Sequence, residues 1–269
     1  MIKVSNDDDF YSLRNTIERL LNMQCASYKE DYIKRRILSR MNATKTQNYK
    51  EYQQVLLGNK TEMELLRNAL TINVTKFFRD PEIFDTLKKE ILPEILRGKN
   101  RIRIWSAGCS SGEEPYSLAI LLAEYKSTHR DLDALIYASD IDEEILKKAR
   151  DGIYEKQALE NVSDVYLKRY FAEREDTKFE VKSLLKPFIR FQSHDLMRGI
   201  PVARFLDLVL CRNVTIYFNE KQKNLLVTTI NEGLAPGGFY IMGMSEYLGR
   251  EVESLFKPYR PMHKIFVKP

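Results

Sequence analysis

The stretch that most limits what this chain can fold into is Arg101–Ser117, RIRIWSAGCSSGEEPYS. Ile102, Ile104 and Trp105 suit a buried strand, and Ser106 to Gly112 contains no bulky residue that would keep a ligand from the backbone. Pro115 then sits near a helix start, where its missing N–H has no intrahelical partner anyway. Strand, small-residue loop and helix in that order predict an α/β sheet with a cavity floor at the carboxyl end of its first strand. Glu113 and Glu114 lie at the positive end of that helix. They would repel a pyrophosphate, and the spacing Gly108-Cys-Ser-Ser-Gly112 matches neither the dinucleotide G-x-G-x-x-G nor the phosphate loop G-x-x-x-x-G-K-[ST]. The alternative is a tight turn whose small residues serve packing only; the ligand loop is the favoured reading of this stretch.

Downstream, Leu135–Ser139 predicts a second strand ending in Asp140, one helix and one strand after the loop. An acid in that place accepts hydrogen bonds from ribose hydroxyls, two charge-assisted bonds of ~1.5–3 kcal/mol each. The alternative for Asp140 is to cap the helix at about 142–151, which Asp142 can do alone, with Gly152 closing it. Phe205–Leu210 reads as a central parallel strand that empties into Cys211, Arg212 and Asn213, and Asn213 offers both a donor and an acceptor to an amino acid or adenine group. A helix over about 220–234, a turn at Ala235-Pro236-Gly237-Gly238 and a strand over Phe239–Met244 complete the alternation. Between them, a helix at about 163–171 is expected, followed by extended pieces at Phe179–Val181 and Phe188–Gln192 that form a small hairpin beside the main sheet. His194 and Asp195 lack a serine elbow or a second histidine nearby, which speaks against a hydrolytic triad.

Ahead of residue 100 there is no strand signal. Phe10, Leu13, Ile17, Leu20 and Leu21 share one helical face. Ser27 with Glu30, and Thr61 with Glu64, read as capping boxes that start further helices. Ile33, Ile37, Leu38 and Met41 give the second helix a core face, while Lys29, Arg36 and Arg40 line a different stripe; over residues 24–45, six basic side chains stand against two acidic ones. Such a stripe is either a solvated face or a docking surface for an acidic partner. Thr71–Asp80, TINVTKFFRD, is neither helix nor linker in character, and Asp80-Pro81 restarts a helix as N-cap and first residue, broken at Pro93 and Gly98. Arg79 lies at the expected junction of two domains, a frequent place for sites.

The 269 residues suffice for two domains, and 43% hydrophobic with 30% charged residues is a globular composition. No apolar run approaches the ~20 residues that span a bilayer. The opening MIKVSNDDDF has no apolar core of a secretory signal, and three widely spaced cysteines form no metal pattern; both fit a cytoplasmic protein without a metal. A net charge of +5 is too modest to indicate nucleic acid as the partner.

Five ordered motifs, TINVTKFFRD, IWSAGCSSGEEPYS, ASDIDEEILKKAR, LCRNVTIYF and APGGFYIMGMSE, closely resemble the chemotaxis receptor methyltransferases of the CheR family, with small departures at Ser111 and Met244. The resemblance covers nearly the whole chain. It implies a Rossmann-like sheet that binds S-adenosylmethionine, a small all-α N-terminal domain and a small β subdomain insertion. The boundaries it suggests are 1–72 for the helical receptor-docking domain, 73–98 for a connecting segment and helix, and 99–269 for the methyltransferase domain, with the β subdomain near 176–192. The implied activity is methyl esterification of glutamates on the cytoplasmic helices of chemoreceptors, releasing S-adenosylhomocysteine, by a monomer that does not insert in the membrane. Carried over by motif, Asn73, Thr75 and Arg79 contact the cofactor or the reacting centre, Gly108 and Glu114 lie in the cofactor loop, Asp140 holds the ribose, and Asn213 follows the fourth strand. Lys29, Arg36 and Arg40 would dock the receptor. A methyltransferase acting on RNA or a small molecule, or a module that only senses the cofactor, are the competing readings.

Overall fold

A computed structural model describes residues 7–21, 23–70 and 75–269. They form two compact units, Met1–Asn73 with Tyr217–Gln222, and Val74–Ile216 with Lys223–Pro269.

The first unit is built from α1 (Asp7–Leu21), α2 (Glu30–Thr44), α3 (Tyr49–Gly58) and α4 (Lys60–Leu70). Their apolar faces meet in one core that includes Phe10, Leu13, Ile17, Ile33, Ile37, Met41, Tyr52 and Leu66. The expected capping boxes are not there. Ser27 is buried in a 3₁₀ turn, Cys25–Ser27, with its hydroxyl turned to Gln24, and α2 starts after Lys29 without a side-chain cap. The reason is a strand-like bridge between Tyr28 and Phe218: the Asn219 N–H donates to the Ser27 carbonyl and the Lys29 N–H to the Tyr217 carbonyl, which fixes the chain just ahead of the helix. At α4 the cap is Asn59, whose Oδ1 accepts the Glu62 N–H at 3.1 Å, rather than Thr61.

The second unit carries β1 (Arg101–Ala107), β2 (Asp133–Asp140), β3 (Ile153–Tyr154), β4 (Phe171–Glu173), β5 (Phe179–Val181), β6 (Ile189–Ser193), β7 (Leu206–Cys211), β8 (Leu234–Met242), β9 (Lys257–Arg260) and β10 (Ile265–Val267). The main sheet runs β6-β2-β1-β7-β8-β10-β9; the first five strands pair in parallel and the last two antiparallel. From β1 the chain steps outward to β2 and β6, then returns to the other side of β1 with β7 and β8. That reversal makes the carboxyl ends of β1 and β7 the switch point of a doubly wound sheet, the place where such sheets bind ligands.

Three expectations are corrected. The piece at 188–192 does not close a hairpin on Phe179–Val181: as β6 it pairs with β2, and the small sheet is instead β3-β5-β4. The subdomain therefore draws on residues 153–154, 171–173 and 179–181 rather than on 176–192. The Ala235–Gly238 turn is a kink inside β8, where the register with β7 shifts; at Gly238 a Cβ would lie 2.8 Å from the Ala235 carbonyl oxygen, so only glycine lets the chain fold so tightly there. Nor does Pro93 stop the helix begun at Pro81: α5 (Pro81–Thr86) passes through a π-helical turn, Leu87–Ile91, into α6 (Leu92–Ile95), and Pro93, which has no N–H to give the preceding turn, follows directly on that widened turn.

Candidate functional site

The loop after β1 is fastened to the end of β2. The N–H groups of Gly108 and Cys109 donate to the Ser139 carbonyl at 2.8 and 2.9 Å, and Ser110 N–H donates to Asp140 Oδ2 at 2.9 Å. The other oxygen, Oδ1, accepts Asp142 N–H at 3.1 Å. Asp142 caps α8 (Glu143–Asp151) through Glu144 and Ile145, so Asp140 is left to the loop. Burial raises the Asp140 carboxyl above its ordinary range, an upward push that the N–H groups of Asp142 and Ser110 only partly reverse. Beside it, the Ser110 hydroxyl is buried and without a hydrogen-bond partner among the described residues.

Gly108 and Gly112 have φ of +75° and +97°. A Cβ would lie 2.6 Å from Val214 Cγ2 at Gly108 and 2.9 Å from Ala149 Cβ at Gly112. The glycines thus let the loop bend and seat itself against the chain after β7 and against α8. Glu113 turns inward and accepts from the Ser111 hydroxyl, and burial raises its carboxyl.

Arg212 is the residue that the sequence reading passed over in favour of its neighbour. Only 2% of its side chain is exposed. Its Nη1 reaches Glu114 Oε2 at 3.3 Å, and its Nη2 donates to Asp80 Oδ2 at 2.5 Å and to the Arg79 carbonyl at 3.0 Å. Glu114, at the first turn of α7 (Glu113–Thr128), also accepts from the Ser106 hydroxyl at 2.7 Å. One guanidinium therefore ties the start of α7 to the turn that carries Arg79. This overturns the expected cap at α5, because the Asp80 carboxylate is spent on Arg212 and makes no cap bond. The turn itself is held in an unusual shape, with Phe78 at φ +49° and Asp80 at φ +58°, the Phe78 N–H bound to the Ser117 hydroxyl and its carbonyl to Asn161. Non-glycine residues in that region cost of order 1–3 kcal/mol each and persist where the surroundings over-determine them. Thr75 is half-buried ahead of this turn. Asn73 lies outside the described residues.

Asn213 stands at the carboxyl end of β7 as expected, with φ +61°. The group that fixes it was not singled out from the sequence. Glu246, 2% exposed, accepts the N–H of Asn213 at 2.9 Å, Val214 at 3.0 Å, Thr215 at 2.7 Å and Gly243 at 2.6 Å, and the Thr215 hydroxyl at 2.7 Å. An acid two residues past a run of small and apolar residues, in GMSE, was the only visible signal.

In the helical unit the three basic candidates separate. Arg40 is bound bidentately to buried Glu62 at 3.0 and 2.6 Å, and Tyr52 donates to the same carboxylate at 2.7 Å. Burial pushes the Glu62 carboxyl up, but the bonds from Arg40 and Tyr52 outweigh it and leave it below its ordinary range. Arg36 lies over the Tyr32 ring at 5.4 Å, and Lys29 is exposed at the start of α2. Arg40→Ala is expected to cost about 3 kcal/mol, since it strands a buried carboxylate, read as a lower midpoint in urea unfolding. That stabilisation exists above the unfolded pKa of Glu62 and is lost as pH falls through its depressed folded value, so the variant and the wild type should converge in acid. Docking is therefore tested at Arg36, not at Arg40.

A phosphate at the start of α7 would meet Glu113, Glu114 and Asp140. The same edge fits S-adenosylmethionine: an acid at Asp140 for ribose hydroxyls, an acid at Glu114 for positive groups, and an unused buried hydroxyl at Ser110. No cluster of three His, Cys, Asp or Glu is placed to hold a metal among the described residues. A doubly wound sheet with these acids at its switch point defines the S-adenosylmethionine-dependent methyltransferase class.

Comparison with known proteins narrows this. Residues 73–264 match the sequence model described as CheR methyltransferase, SAM binding domain, and residues 8–71 match CheR methyltransferase, all-alpha domain. The chain is 33% identical over 259 residues to chemotaxis protein methyltransferase 2 of Vibrio cholerae, covering 94% of this chain and 90% of that one. It is 36% identical over 249 residues to the chemotaxis protein methyltransferase of Borreliella burgdorferi, covering 89% and 88%. The chain belongs to the CheR methyltransferase family, and its cofactor is S-adenosylmethionine.

Proposed function

We propose that this protein transfers the methyl group of S-adenosylmethionine to glutamate side chains on the cytoplasmic helices of chemotaxis receptors, forming 5-O-methyl esters and releasing S-adenosylhomocysteine. The observation that carries the reading is the Arg212 knot, which ties the start of α7 to the rigid turn bearing Arg79. When bound, the cofactor supplies a methyl group on a cationic sulfur that leaves as a neutral thioether. A glutamate carboxylate, with a reference pKa near ~4.3, is already ionised at neutral pH, so the chain need not supply a general base. Its task is orientation, which can contribute roughly 7–11 kcal/mol. In this reading Asp140 accepts the ribose hydroxyls, Glu114 faces the positive groups, Gly108 lets the loop close, Asn73, Thr75 and Asn213 complete the donor site, and Arg79 places the substrate carboxylate.

Residues 1–72 serve as the docking domain, with Lys29 and Arg36 facing the acidic receptor; residues 73–98 connect, and residues 99–269 perform transfer. The protein works as a monomer in the cytoplasm; no helix among the described residues is long and apolar enough to cross a membrane. Incubation with labelled methyl donor and receptor-rich membranes should place a base-labile label on the receptor. A base-stable label, or label on RNA, would sink the assignment.

Asp140→Ala should weaken donor binding by about 3 kcal/mol, around 100-fold, because both the ribose acceptor and the latch on Ser110 are lost; calorimetry reads it directly. The raised Asp140 carboxyl gives a further test. Binding needs the ionised form, so affinity should decline as pH falls, beginning above the ordinary aspartate range, and Asp140→Asn should flatten that profile.

A further inference from the structure

We infer that Glu246 is a positioning residue for the methyl donor, acting from beneath through Asn213 and Val214. Its carboxylate lies under the site, 2% exposed, and its five hydrogen bonds draw in two separate loops. Oε1 accepts from Val214 N–H, Thr215 N–H and the Thr215 hydroxyl; Oε2 accepts from Asn213 N–H and Gly243 N–H. A carboxylate satisfied in this way needs no basic partner, because each N–H contributes part of a positive charge from a fixed direction.

Two consequences reach the donor site. Asn213 is kept at φ +61°, a conformation that non-glycine residues seldom adopt, and this sets where its side chain starts. Val214 is kept where its Cγ2 would be 2.6 Å from a Cβ at Gly108, so the loop after β7 is seated directly against the loop after β1. Gly243 belongs to the same device, since a Cβ there would lie 2.7 Å from both the Asn213 nitrogen and Glu246 Oε2. Glu246 thus registers the end of β8, the loop after β7 and the donor loop against one another. Sites held to such tolerances lose affinity when the supporting shell is loosened.

Glutamine is the informative replacement. Whichever way its amide is turned, the NH₂ group opposes two N–H donors, those of Asn213 and Gly243 or those of Val214 and Thr215. Leaving such groups unsatisfied in a buried place should raise both the Kd and the KM for S-adenosylmethionine about tenfold in Glu246→Gln. Turnover at saturating donor should change far less, because Glu246 touches neither donor nor receptor. Thr215→Val removes one of the five donors with little change of shape and should raise the donor KM about threefold with an unfolding temperature close to wild type. Glu246→Asp keeps the charge and should recover part of the affinity lost in the Gln variant.

The measurements are calorimetric donor binding, steady-state methyl transfer at varied donor, and thermal unfolding. A donor Kd and KM that stay at the wild-type value while only the unfolding temperature drops would reduce Glu246 to a core support and overturn the inference. If Glu246→Gln fails to fold, Thr215→Val decides by the same criterion. The inference rests on the methyl-donor reading of this edge, and the two fail differently: wild-type protein that binds no donor removes that reading and the inference with it, whereas equal binding by wild type and variants removes the inference alone.

Discussion

Arg212→Lys should lower methyl-transfer turnover about 100-fold and stability by about 3 kcal/mol, although it preserves the charge. The guanidinium makes three bonds in three directions, to Glu114, Asp80 and the Arg79 carbonyl. An ammonium on a flexible stem is a point charge and cannot span those acceptors at once. With 2% of the Arg212 side chain and 14% of the Glu114 side chain exposed, water cannot replace the lost bonds at Glu114. Asp80, at 31%, is better placed to recover solvent, so the main cost falls on Glu114 and on the released Arg79 turn. Steady-state kinetics with urea unfolding separates the two effects: lower stability with unchanged turnover would confine Arg212 to structural support.

What sequence alone could reveal follows from the range of each interaction. Local rules succeeded where the partner is local: Asp142 caps α8, and Gly152 ends it with φ +71°. Alternating strand and helix signals were enough for β1, β2, β7 and β8 but not for β6, β9 and β10, and the position of Asp140 at the end of β2 followed from counting one helix and one strand past the loop. The same local rules failed at Ser27, whose hydroxyl turns back to Gln24 while Asn219 fixes its carbonyl, and at Asp80, whose carboxylate goes to the distant Arg212. A capping pattern describes what a residue can do next to its neighbours, and tertiary partners compete for the same oxygen.

Arg212 and Glu246 were missed for a related reason. Both are charged residues beside apolar strands, and nothing in the spacing shows that Arg212 meets Glu114 or that five donors converge on Glu246. The glycine loop is instructive in another way. Gly108 and Gly112 were expected to let a ligand reach the backbone, and their missing side chains also make room for Val214 and Ala149. Packing and ligand access are therefore not competing explanations here, since the loop can offer backbone to a ligand only because it is pressed against the chain behind it. The basic stripe on α2 divides along the same line, with Arg40 bound to Glu62 and Arg36 lying over the Tyr32 ring.

Arg79→Ala should reduce turnover about 100-fold while changing donor affinity by less than about threefold. The argument begins with the backbone: Phe78 and Asp80 flank Arg79 in strained conformations, Ser117 holds the Phe78 N–H, and Arg212 holds the Arg79 carbonyl. Strain maintained at this cost is consistent with a side chain that must start from one place. A substrate carboxylate carries full charge before transfer and loses it as the ester forms, so an arginine that gripped it tightly would stabilise the ground state and slow the reaction. Arg79 should therefore contribute direction more than affinity, and the receptor KM should rise only modestly in the alanine variant. Arg79→Lys keeps the charge but loses the planar fork, and should fall between the two, about tenfold below wild type. Equal losses in turnover and donor affinity would instead make Arg79 a ligand of the cofactor, and the placing of the receptor carboxylate would have to be sought elsewhere on the same edge.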